Sequence, residues 1–197
     1  MNKIILFLTI PFIIFSCEQA SLIEDYKIEG IGYKDSLLNY FSEDEIKAQI
    51  KKHKYMYAHL NDDFGEVYKY DNLKTYEYMT FFVKPDDKKY LIYAITGNIE
   101  YKENIEGCYK KQNEIVEDFS KTYKNARMRE DFIIFPYEPN DKSFQKQISF
   151  IFDSGDRVTV NCTDFEESLR LKNNWGEGLA VTIQSDELSA WYATSNK

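Results

Sequence analysis

The sequence predicts an α+β fold, with helices packed on antiparallel sheet, from three observations. Stretches with apolar residues at helical spacing are each followed by aromatic and β-branched runs broken by turn signals. This helix-then-hairpin unit occurs twice, and a capped terminal helix closes the chain.

Residues 30–54 form the first helical region. Leu37, Leu38, Tyr40 and Phe41 crowd one short helix, and Ser42-Glu43-Asp44-Glu45 is a capping box that opens a second. The serine hydroxyl and the glutamate carboxylate there satisfy two backbone N–H groups that have no partner inside the helix. Ile46 and Ile50 then turn inward. Residues 66–101, rich in Tyr, Phe and Ile, read as strand with turns at Asp71-Asn72 and Pro85-Asp86-Asp87, giving a three-stranded meander. The second helix covers 104–126, where Ile105, Cys108, Ile115, Val116, Phe119 and Tyr123 recur on one face and Glu117 faces Lys121 one turn on. Phe132 to Phe135 is extended, and 147–165 is a hairpin turning at Asp153-Ser154-Gly155-Asp156. A polar loop leads to the strand Leu179 to Ile183, and Ser185-Asp186-Glu187 caps the last helix, which carries Leu188, Trp191 and Tyr192. The entries at 31–46 and 99–115 align with one gap. The halves 28–101 and 101–197 therefore read either as a duplication or as two units with similar entry chemistry.

The amino end decides where the chain works. Lys3 supplies a positive head, and Ile4 to Phe15 is apolar apart from Thr9 and Pro11, the length of an export-signal core and too short for a bilayer, which needs about twenty apolar residues. The residues Ile14-Phe15-Ser16-Cys17 resemble the lipobox of bacterial lipoprotein precursors. That resemblance implies a leader of residues 1–16 removed before Cys17, lipid joined to the Cys17 thiol, and a tether of 17–27 ahead of one α+β domain at 28–197. Acyl chains contributing about 0.8 kcal/mol per buried methylene would hold such a protein on the membrane. The expected place is the periplasmic side of a bacterial membrane, the alternative being a soluble periplasmic or secreted protein. Residues 28–46 and 90–116 also resemble a family of uncharacterised exported proteins of AT-rich bacteria, to which no activity attaches; this implies location only.

Composition limits the function. With 33 acidic residues against 25 Lys and Arg the net charge is −8, which excludes nucleic acid as a partner and leaves the lipid anchor as the only expected membrane contact. Cys108 lies on the apolar stripe of its helix, and Cys162 is in register with Val158 and Val160, so both thiols face one core. Outside the cytoplasm such a pair is expected to form a disulfide if the Cα atoms lie within about 7 Å; the alternative is two buried thiols packing as small hydrophobes. No nucleotide-loop, nucleophile-elbow or zinc-protease motif is present, and His53 and His59, six apart, have no helical or strand spacing that brings them to one metal, so neither cofactor nor metal is expected.

The remaining lead is aromatic. Tyr76, Tyr78, Thr80 and Phe82 alternate onto one strand face, where Tyr76 and Tyr78 could present a ligand-binding row. Three functions follow: a non-catalytic interaction domain contacting an envelope protein, a small-ligand or glycan binder on the tyrosine-rich sheet, and a carboxylate-dependent hydrolase, which would require two carboxylates converging in one pocket. The first fits the absence of catalytic motifs best.

Overall fold

The computed structural model describes residues 23, 26–102, 104–135, 142–173 and 175–194, and the predicted α+β class is the observed one. Residues 1–16, read as a leader, and Cys17 lie outside the described residues. Packing begins inside the stretch read as tether, where Ile23 is buried and the Tyr26 ring meets Phe119 edge-on. A small hairpin follows, β1 (Lys27–Ile28) and β2 (Ile31–Gly32), turning through Glu29 and Gly30 at positive φ.

Helix α1 (Glu43–His53) starts on the predicted capping box: Ser42 Oγ accepts from the Glu45 N–H and a Glu45 carboxylate oxygen accepts from the Ser42 N–H. Acids occupy its first turn and Lys51, Lys52 and His53 its last, each sign at the helix end that favours it. The predicted short helix before it is only a 3-10 turn, Leu37–Asn39. An isolated bridge between Ser36 and Leu91 holds the chain extended immediately before that turn, and only Leu37 is buried in it.

The meander is β3 (Gly65–Lys69), β4 (Tyr78–Val83) and β5 (Ile92–Glu100), antiparallel throughout. Helix α2 (Ile105–Thr122), capped by Asn104, leads into a second meander of β6 (Arg127–Ile134), β7 (Phe144–Ile151) and β8 (Arg157–Asp164). The stretch read as polar loop contains α3 (Glu167–Asn173), after which come β9 (Gly178–Gln184) and α4 (Asp186–Ala193), whose cap is the predicted Ser185. Strand β9 inserts between β5 and β8, so the two meanders share one sheet of order β3-β4-β5-β9-β8-β7-β6.

The two sheet faces differ. One carries Met79, Phe81, Ile95, Val160, Val181 and Ile183, all buried under α1 and α2 in the main core. Gly65 lets α1 lie flush on β3: a Cβ there would stand 2.6 Å from Ile50, so Gly65→Ala is expected to push α1 outward and cost about 1–3 kcal/mol in a urea titration. The other face is small and polar, with Thr80, Thr96, Thr182, Thr159 and Ser149 in one row across five strands. Thr96 and Thr182 share a hydrogen bond of 3.0 Å in that row. Only its corner is apolar, because a bulge in β5 sends Tyr93 to the side of Phe82 and Ala94, and there α4 docks Leu188 and Trp191. The terminal helix therefore packs opposite α1 and α2.

Candidate functional site

Cys108 and Cys162 meet as expected. Cys108 of α2 and Cys162 of β8 are fully buried and joined by a disulfide, with Cα atoms 6.0 Å apart. This bond ties helix to sheet at the centre of the core and is structural.

Tyr76 and Tyr78, predicted to share a face, do not. The Tyr76 ring covers Gly97, which pairs with Met79 on the core side, whereas Tyr78 points to the opposite side with Thr80. The alternation fails because β4 begins only at Tyr78; before it, the Lys74, Thr75 and Tyr76 amides donate to the Glu29 carboxylate and bend the chain over the sheet. What Tyr78 joins instead is a cluster with Tyr68 and Tyr70, ring centroids 5.9–6.4 Å apart, of which Tyr70 is 66% exposed.

Tyr68 leads to the most unusual carboxyl among the described residues. Glu66 is only 5% exposed, and one of its oxygens, Oε2, accepts hydrogen bonds from both the Tyr57 and the Tyr68 hydroxyls at 3.0 Å. Burial pushes its pKa up to about 7, against the opposing pull of the two tyrosine hydroxyls. Both donors converge on Oε2, so Oε1 keeps its accepting capacity.

Glu66 lines a cavity of about 390 Å³ between α1, β3 and the loop after β4, within the size range of small-molecule sites. Ile50, Tyr57, Phe64 and Tyr90 supply its apolar wall, and α1 with a second 3-10 turn behind it, Lys54–Tyr57, brings Lys47, Lys51 and Lys54 to the rim. Lys47 pairs with Glu43 and Lys54 with Asp62. Asp62 thus has a charge partner and Asp86, also in the lining, is exposed, which leaves Glu66 as the buried carboxyl of the cavity.

His53 stacks on Tyr68 with centroids 4.5 Å apart, while His59 is exposed. Among the described residues no group of three or more His, Cys, Asp or Glu could hold a metal ion, and no helix is long and apolar enough to cross a membrane.

The sheet edges form the second candidate site. Along β3 the backbone of Tyr68 is occupied: Gln49 of α1 accepts from its N–H at 2.8 Å and donates to its carbonyl at 3.1 Å, standing in for a neighbouring strand. Among the described residues the opposite edge, β6, is open: its eight residues pair only with β7, and it lies two strands beyond β8, where α2 packs. Met128, Phe132, Ile133 and Ile134 are 57, 61, 37 and 46% exposed, a concentration of large apolar side chains on one unpaired edge. The sequence reading found only the carboxyl half of this strand, since Arg127-Met128-Arg129-Glu130-Asp131 gives no apolar alternation; the half it found already held the exposed Phe132, Ile133 and Ile134.

These features define an α+β protein with one sheet edge occupied at Tyr68 by Gln49, one edge unpaired among the described residues, and a cavity with one buried carboxyl, Glu66, beside the first. Compared with protein-family models, curated proteins and solved structures, the chain matches none.

Proposed function

We propose that the chain is an exported, lipid-anchored envelope protein whose domain is a non-catalytic interaction module, accepting an extended strand of another envelope protein along β6. The observation that carries this reading is the exposed apolar row on the unpaired β6 edge. Added strands bind by main-chain hydrogen bonds, and alternate side chains set specificity. On one face of β6 the incoming strand would meet Met128, Phe132 and Ile134, with Glu130 paired to Lys146 between the first two, and on the other Ile133 and the Arg129–Asp131 pair. A matching segment therefore carries apolar residues at alternate positions and has a backbone free to pair. A different protein fits better than a second copy, because two chains each carrying −8 repel. The lipobox resemblance at Cys17 supports the anchoring, and the net charge supports a protein rather than a nucleic-acid partner.

The test places a photo-cross-linking residue at Met128 or Phe132 in the living cell, with exposed Tyr55 as the control position. One membrane-fraction protein joined through one extended segment at 128 and 132, and not at 55, is the expected result; Phe132→Lys should abolish it while lowering the melting temperature only slightly, through the lost stacking on Phe144. Cross-links that do not depend on position overturn the reading, as does a chain-to-chain product accompanied by dimerisation in sedimentation.

A further inference from the structure

The cavity beside Glu66 plays no part in strand addition at β6, which lies at the far edge of the sheet. Its charges are arranged in depth. The buried carboxyl sits on β3, where both tyrosine hydroxyls bond its Oε2, and the rim carries three lysines from α1 and the following turn together with the exposed Asp62 and Asp86. Two of those lysines are neutralised by Glu43 and Asp62, while Lys51 has no ion-pair partner among the described residues. Between floor and rim lie Ile50, Phe64 and Tyr90.

This pattern discriminates among small molecules. A simple cation would satisfy Glu66 but leave Lys51 unused, and a simple anion would satisfy Lys51 but bring a like charge toward the buried carboxyl in a poorly solvated site. A neutral polyol would leave the lysine unused and buries hydroxyls against an apolar wall that offers them no partner. A molecule with opposite charges at its two ends satisfies both. We infer that the cavity is a binding site for a small zwitterion, with its ammonium hydrogen-bonded to Glu66 inside, its anionic group on Lys51 at the rim, and its carbon chain against Ile50, Phe64 and Tyr90.

The probes are ω-amino acids of two to six carbons, each compared with the monoamine and monocarboxylate of equal length and with sorbitol, added to the full mature domain and followed by amide chemical-shift changes. One chain length is expected to bind at about tenfold or more lower concentration than its two singly charged counterparts, shifting the amides of Gly65, Glu66 and Lys51. Glu66→Gln should weaken that probe about tenfold, and Lys51→Met about threefold, since the rim charge is solvent-screened. Lys51 is exposed, so its variant folds and carries the test even if the Glu66 variant does not. No binding by any ω-amino acid, equal binding by a monoamine, preference for sorbitol, or an unchanged Lys51→Met affinity each overturns the assignment. None of these outcomes bears on the β6 cross-link, so the two proposals stand or fall separately.

Discussion

Replacing both Cys108 and Cys162 with alanine is expected to lower the unfolding free energy by about 4 kcal/mol. The bond closes a loop of 54 residues, and confining that loop in the unfolded chain removes roughly this much entropy at room temperature. For a domain of this size the melting temperature should fall by roughly 10 °C. Calorimetry of the double variant against the oxidised protein measures it. The urea slope should rise at the same time, because the unfolded chain without the cross-link exposes more surface. Both sulfurs belong to fully buried residues, so a reductant should reach them only through unfolding, and a mild thiol at neutral pH should leave the native protein unchanged for long periods. Titration of the denatured, unreduced protein finding two thiols would show that the pair does not form in the cell. A drop below about 1 kcal/mol would mean that the unfolded chain is already compact around this loop.

The second large effect depends on pH. Burial raises the folded pKa of Glu66 from the ordinary 4.5 to about 7. Below 4.5 the carboxyl is protonated in both states and contributes no pH dependence. As pH rises through 4.5 the unfolded carboxyl ionises while the folded one keeps its proton, so stability falls, and the fall levels off once pH passes the folded value. The total is about 3 kcal/mol by linkage. The groups near this carboxyl include Tyr57 from the Lys54–Tyr57 turn, Tyr68 from β3, Tyr70 just after it, Tyr78 from β4 and Tyr192 from α4, and each has its own pKa raised, so none of them titrates in this window. Glu66→Gln keeps the shape and an acceptor for both hydroxyls but carries no charge. It should be more stable than the natural chain by about 1–3 kcal/mol at pH 8, with the advantage fading toward pH 5. Urea titrations at unit pH steps measure the difference, and a difference that does not change with pH would show that this group is not the source.

Much of the architecture was legible in the sequence because local chemistry and tertiary context agree there. The Ser42 box, the Asn72 turn at positive φ, the Gly155 hairpin and the Ser185 cap are each dictated by backbone geometry that few residues satisfy. The cysteine pair could be read because one helix stripe and one strand face identify a single core. The amino half of β6 could not, since an exposed strand buries neither face and so leaves no period-two pattern. Tyr76 was misplaced because alternation holds only inside a strand, and contacts from Glu29, 47 residues away, end the strand before it. Glu66 gave no signal at all: one glutamate among tyrosines looks like a solvated strand position until the 3-10 turn carrying Tyr57 is folded over it.

The contrast between the two rims of the sheet limits what assemblies this chain can enter. A strand that adds to β6 extends the sheet by one chain, but the far end is already terminated by the Gln49 side chain, which offers no template for the next. A strand added on the β3 side would first have to displace Gln49 from Tyr68, so growth from a strand on β6 would be one-sided.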